Sequence, residues 1–167
     1  WIEKGYDVIA LVPSCALMMK FEWPLILPED NSVKNLSEAS FDITEYIVDI
    51  AKKDGLAEGL SPLDGGVAVH FACHARAQNM GAKAAEMMRL VPEAEVEVIE
   101  RCSGHGGSWG VKKDNFETAI KVGRPAARQT LNSGKKHVVS ECPLAGMHIG
   151  QGLERLQDNG APAYQIA

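Results

Sequence analysis

What this sequence does not contain removes several functions at once. Its four cysteines, Cys15, Cys73, Cys102 and Cys142, form no close pair. They therefore lack the Cys-x₂₋₄-Cys spacing of structural zinc sites and the cysteine density of a disulfide-stapled secreted domain. Free thiols in a reducing, cytoplasmic setting are the expectation. No run of basic residues appears and the net charge is −5, which argues against a nucleic-acid partner. No apolar stretch reaches the roughly 18 residues of a membrane span. The best candidate, CALMMKFEWPLIL, is interrupted by Lys20, Glu22 and Pro24. No signal peptide is visible, so any membrane association is expected to be peripheral, at the inner face. The first residue is Trp1 rather than Met, and WIEKG reads as the last turn of a helix. The start is expected to be an excision or to lack an upstream part.

What is present is a rhythm of short apolar runs and amphipathic stretches. With 167 residues, 46% of them hydrophobic, the chain is long enough to bury a real core. YDVIALV (6–12), GGVAVHFA (65–72), AEVEVIE (94–100) and KHVVS (136–140) read as strands. PSCALMMKFEWPLIL, with Pro13 suited to a first helical turn, reads as a helix. FDITEYIVDIAKK, closed by Gly55, reads as another. CHARAQNMGAKAAEMMRL, NFETAIKVGRPAARQTLNSG with an expected kink near Gly123 and Pro125, and PLAGMHIGQGLERLQ complete the helical set. The stretch from Pro28 to Ser40 is polar. The apolar end of DNGAPAYQIA is expected to dock. The alternation predicts an α/β fold with a mostly parallel sheet and helices on both faces.

Each cysteine follows one of the four strands and precedes a helix, with a longer loop after Cys102. Ligand sites in open parallel sheets gather beyond the carboxyl ends of the strands. Neighbouring strands lie about 4.8 Å apart, so thiols at adjacent junctions converge. Helix N-termini favour thiolates, and four thiolates suit an iron–sulfur cluster or a zinc ion. A lone free cysteine is otherwise commonly a small buried hydrophobe; four at equivalent junctions are not explained that way.

The segment IERCSGHGGSWGVKKDNF (99–116) adds glycines to the third junction. It lacks the full G-x-G-x-x-G spacing of dinucleotide sites, and the phosphate-binding Gly-Lys-Ser/Thr is absent from the chain. Gly104, Gly106 and Gly107 instead suit a backbone whose N–H donors approach a bulky inorganic cluster. His105 stands at ligand-like spacing from Cys102. His74 and His148 also lie near cysteines, while His70 reads as a satisfied interior histidine and His137 as a surface one.

HFACHARAQNMG, CSGHGGSWGVKKDNF and SECPLAGMHIGQGLERL together resemble the cysteine-rich CCG domain. That domain occurs in the B subunit of heterodisulfide reductase, in the C subunit of anaerobic glycerol-3-phosphate dehydrogenase, and in iron–sulfur subunits of glycolate and lactate oxidation. DVIALVPSCALMMKFEWP looks like the closing segment of a preceding repeat. The resemblance divides the chain into that segment (1–30), a helical connector (31–64) and a CCG-like cysteine-rich repeat (65–167). The pattern departs from the family at Cys102-Ser103-Gly104, where Cys-Cys-Gly is usual. It departs also at Cys142-Pro143-Leu144-Ala145, where Cys-x-x-Cys is usual, and at Val12, which stands where an earlier cysteine is common. Of the five cysteines that the family uses for an unusual double-cubane-like cluster, Cys73, Cys102 and Cys142 remain.

The resemblance implies an iron–sulfur electron-transfer domain of an oxidoreductase, holding a [4Fe–4S] cluster on Cys73, Cys102, Cys142 and, as fourth ligand, Cys15. Gly104, Gly106 and Gly107 would supply amides, and His105 would tune or bind the cluster. Its implied partners are a flavin-containing dehydrogenase subunit or another redox protein, with a quinone or disulfide as acceptor. Three alternatives remain at this point: a zinc-stabilised interaction module on the same thiols, a thiol redox enzyme using Cys102 beside His105, and a nucleotide-binding α/β domain with incidental cysteines.

Overall fold

The computed structural model describes residues 1–157, 165 and 166. The chain divides into two compact units, one of residues 1–58 with 73–83 and one of residues 59–72 with the chain from 84 onward.

In the first unit a 3₁₀ turn, Ile2–Lys4, ends on Gly5 in the left-handed conformation. Strand β1 (Val8–Ala10) follows. Pro13 sits in the first turn of α1 (Pro13–Leu17), where its missing N–H costs nothing. The helix widens into a π-helical turn, Met18–Glu22, and continues as α2 (Trp23–Ile26). Asp30 caps α3 (Asn31–Glu38), accepting from the N–H groups of Ser32 at 2.8 Å and Val33 at 3.3 Å. Strand β2 (Ser40–Asp42) lies parallel to β1, with Ile9 opposite Phe41. Asp42 then caps α4 (Ile43–Lys53) in a capping box with Glu45. The buried Asp42 carboxylate accepts from Thr44 N–H at 2.9 Å, Thr44 Oγ1 at 2.7 Å and Gln78 Nε2 at 3.1 Å. Gln78 also donates to the Pro13 carbonyl at 3.2 Å. That amide ties the end of α5 (Cys73–Ala77) to the start of α1, against which α5 packs.

The second unit is built on a parallel sheet in the order β4-β3-β5-β6. Its strands are β3 (Val67–His70), β4 (Val96–Ile99), β5 (His137–Ser140) and β6 (Gln165–Ile166). β3 is central and buried along its whole length, as expected of a strand covered on both faces. The helices are α6 (Lys83–Met88), α7 (Lys113–Asn132) and α8 (Pro143–Gln157). Ala68, Ile99 and Val138 of the sheet meet Ala126, Ala127, Ile149 and Leu153 of α7 and α8 in one core cluster. Small residues let the two helices approach closely: a Cβ on Gly152 would lie 3.1 Å from that of Ala127.

The α/β class and the parallel pairing are as the sequence predicts, but β1 pairs with β2 in a sheet of its own. The three-residue strand β2 supplies that partner from a position expected to begin a helix, and it is too short to show a period of two. α3 lies in the stretch read only as polar, with Asp30 as its start signal. The single helix expected over 73–90 is two, because Asn79 (φ 59°) and Gly81 (φ 80°) are left-handed, which a right-handed helix cannot accommodate. α7 is one helix of 20 residues with Pro125 inside it, the position where the sequence leads one to expect a kink. Of the tail, Gln165 and Ile166 pair with His137 and Val138 of β5; residues 158–164 and 167 lie outside the described residues.

Candidate functional site

The central position of β3 makes β4 and β5 its neighbours, so the junctions leading to Cys102 and Cys142 flank the carboxyl end of one strand. The residue at that end is His70, only 2% exposed. Its Nε2 donates to the carbonyl of Arg101 at 2.9 Å, one residue before Cys102. Its Nδ1 meets Ser140 Oγ at 2.9 Å, and the same hydroxyl accepts from the N–H of Cys142 at 3.3 Å. One imidazole therefore spans both cysteine loops. Glu141 adds a tie within the unit, its Oε2 accepting from the N–H of Ala72 at 3.2 Å.

The Cys102 loop is built around a glycine. Gly104 has φ +86°, and a Cβ there would lie 2.2 Å from the carbonyl oxygen of Ala119 and 2.6 Å from the nitrogen of Gly123. No side chain fits, and the backbone lies directly on α7. In this position the Gly104 N–H donates to Cys102 Sγ at 3.4 Å. The Ser103 hydroxyl meets His105 Nδ1 at 2.8 Å, and His105 Nε2 lies 4.0 Å from Cys142 Sγ. The Ser103 carbonyl accepts from Nδ1 of His148, on α8, at 2.7 Å. Ser103, His105 and His148 are all buried. Gly106 serves a turn, its carbonyl accepting from Trp109 N–H at 3.2 Å. Gly106 (φ +53°) and Gly107 (φ +61°) are both left-handed.

Cys15 lies in α1 and Cys73 opens α5, the two helices that pack together in the first unit. His74 Nδ1 is 4.0 Å from Cys73 Sγ. All four thiols are free; Cys15, Cys73 and Cys102 are exposed and Cys142 is half-buried. Among the described residues no three His, Cys, Asp or Glu side chains are already drawn together as a metal-holding group.

Within the second unit, then, Cys102, Cys142, Gly104 and His105 of the expected site residues come together. Two participants escaped the sequence reading. His70 is indeed a satisfied interior histidine, yet what satisfies it is the pair of cysteine loops. Its signal was a lone ring at the end of an otherwise apolar strand. His148 lies near Cys142 in the sequence, and in the fold it grips the backbone beside Cys102.

Comparison with known proteins agrees with this layout. The cysteine-rich CCG domain matches residues 67–150, which hold β3, β4, β5 and the side chains just described other than Cys15. The chain belongs to this family. It is 32% identical over 148 residues to the C subunit of anaerobic glycerol-3-phosphate dehydrogenase from Escherichia coli (strain K12), covering 87% of this chain and 36% of that one. An uncharacterised iron–sulfur protein of Methanocaldococcus jannaschii is 29% identical over 119 residues, covering 70% and 23%. The D subunit of the dihydromethanophenazine:CoB–CoM heterodisulfide reductase of Methanosarcina barkeri is 24% identical over 166 residues, covering 94% and 38%. The CCG chain thus spans well under half the length of these relatives. No described helix is long and apolar enough to cross a membrane.

Proposed function

We propose that this CCG chain is an iron–sulfur electron-transfer domain of a larger oxidoreductase, with Cys73, Cys102 and Cys142 as ligands and Cys15 as the fourth. The observation that carries the reading is the family membership, with an iron–sulfur protein among the relatives. The donor chemistry fits. Soft thiol ligands select iron–sulfur clusters, and the Gly104 N–H aimed at Cys102 Sγ is the kind of contact by which proteins stabilise cluster sulfurs. When bound, such a cluster takes up and releases electrons one at a time. Four thiols match the ligand count of a [4Fe–4S] cubane. Gly106 and Gly107 are read as further amide donors and His105 as the group that tunes or binds the cluster.

Residues 65–167 are read as one CCG-like repeat, 31–64 as a connector and 1–30 as the closing segment of a preceding repeat. The electron donor is read as a flavin-containing subunit or another redox protein. The acceptor is read as a quinone or a disulfide, and the site of action as cytoplasmic, peripheral at the inner face of the membrane.

The test is the iron, acid-labile sulfide and zinc content of anaerobically purified full-length protein, followed by electron paramagnetic resonance. The expected result is iron and sulfide in near-equal amounts, with Cys102→Ser and Cys142→Ser each losing most of the iron. Stoichiometric zinc in a colourless protein, or full iron in Cys102→Ser, would overturn the reading. The thiol-enzyme reading from the sequence is for Cys102 beside His105, but the one observation that favours it moves the thiol to Cys142, whose Sγ lies 4.0 Å from His105 Nε2. It predicts that Cys142→Ser abolishes activity with metal content unchanged.

A further inference from the structure

The peptide group between Ser103 and Gly104 is engaged at both ends. Its carbonyl accepts from His148 at 2.7 Å, and its N–H donates to Cys102 Sγ at 3.4 Å. We propose that His148 is a positioning residue that acts through this peptide group, holding the Gly104 amide proton on the sulfur of Cys102. The inference rests on the reading above in one respect, that the sulfur it serves is a cluster ligand.

A carbonyl can only accept, so the proton of the His148 ring is on Nδ1. A trans peptide is planar, and its C=O and N–H point in opposite directions. Fixing the carbonyl therefore fixes the direction of the N–H. A hydrogen bond at the oxygen also polarises the group and strengthens the donor at the other end. The ring has no other visible task. His148 is 3% exposed, and its Nε2 is buried with no hydrogen-bond partner among the described residues. Such an arrangement is costly unless the other nitrogen is needed. Phe116 sets the ring plane edge-on, with centroids 5.9 Å apart and an interplanar angle of 81°. The opposite side of the loop is closed by α7. A Cβ on Gly123 would lie 2.2 Å from the same Ser103 carbonyl oxygen, so the peptide is held between α7 and the imidazole of α8. A hydrogen bond onto a thiolate or cluster sulfur stabilises the electron-rich state and raises the reduction potential.

Three variants of the full chain separate this role from packing. His148→Asn keeps a donor near the position of Nδ1, His148→Gln carries its amide toward the position of Nε2, and His148→Leu has no donor. The first readout is hydrogen exchange of the Gly104 amide in the reduced, metal-free protein, which needs no cluster. Exchange is expected to rise about tenfold in His148→Leu and His148→Gln, the weight of one lost hydrogen bond, and to stay within about twofold of the parent in His148→Asn. The second readout is the midpoint potential after anaerobic reconstitution, expected to fall in the Leu and Gln variants and to be restored in the Asn variant. Should His148→Leu not fold, the Asn and Gln variants still decide the outcome. Equal Gly104 exchange in those two, or unchanged exchange in all variants, overturns the proposal. If the parent protein takes up no iron, the cluster reading fails while the ranking of Gly104 exchange still decides the role of His148.

Discussion

The four-stranded sheet is held in two different ways at its two ends. Where its strands begin, the side-chain ties lie open to water: His137 Nε2 donates to the Asp64 carbonyl at 3.1 Å, and two lysines form ion pairs. Lys135 Nζ meets Glu95 Oε2 at 2.6 Å and Lys136 Nζ meets Asp64 Oδ2 at 3.4 Å, with the two carboxylates 78% and 94% exposed. Where the strands end, the ties are imidazoles in the interior. His70 joins Arg101 to Ser140, and His148 holds Ser103. Exposed pairs are screened and contribute little. Buried hydrogen bonds are directional and expensive to leave unmade. The end that carries Cys102 and Cys142 uses the second kind of tie, and the end that joins strands to their preceding loops uses the first.

Three perturbations test that contrast. The largest effect is expected from Gly104→Ala. A left-handed φ and a Cβ 2.2 Å from a backbone oxygen combine strain with overpacking, for a loss of about 3 kcal/mol of stability. Urea denaturation of the metal-free protein measures it. A loss under half that size would mean the loop moves off α7 at little cost. Next comes His70→Leu, which leaves the Arg101 carbonyl and the Ser140 hydroxyl without this partner, for about 2 kcal/mol. Altered accessibility of both Cys102 and Cys142 to alkylation should accompany it; a change at one thiol alone would contradict the spanning role.

The smallest effect belongs to the opposite end. The Lys135 side chain holds the Glu95 carboxyl below its ordinary range, first by its hydrogen bond and then by its charge. A depressed carboxylate stabilises the fold above the carboxylate range of the unfolded chain, and the contribution disappears as pH falls through the folded value. Because Glu95 is in water, Glu95→Gln should shift the urea midpoint at neutral pH only marginally and flatten the acid side of the stability profile only slightly. A drop comparable to that of His70→Leu would erase the distinction between the two ends.

Much of this arrangement was legible in the sequence. The apolar runs around Val67–His70, Val96–Ile99 and His137–Ser140 are strands, and their cysteines follow them as the alternation implied. β2 was not legible, because three residues carry no period. The break within CHARAQNMGAKAAEMMRL was hidden as well, since Asn79 and Gly81 are tolerated in helices often enough that neither by itself stops one. His70 and His148 were the residues least readable for function. A histidine's role depends on which carbonyl or hydroxyl meets each ring nitrogen, and here those partners lie 31, 70 and 45 positions away along the chain.

By itself the sequence settled the α/β class, the parallel pairing and the strand-to-helix junctions where the cysteines fall, because hydrophobic period, turn residues and motif spacing act over a few neighbouring residues. The tertiary structure alone decided that β3 lies between β4 and β5, that one imidazole bridges two cysteine loops, and that another grips the peptide beside Cys102. Those outcomes follow from which buried polar groups found partners when the helices closed over the sheet, and hydrogen-bond satisfaction in an interior is a property of the whole packed unit.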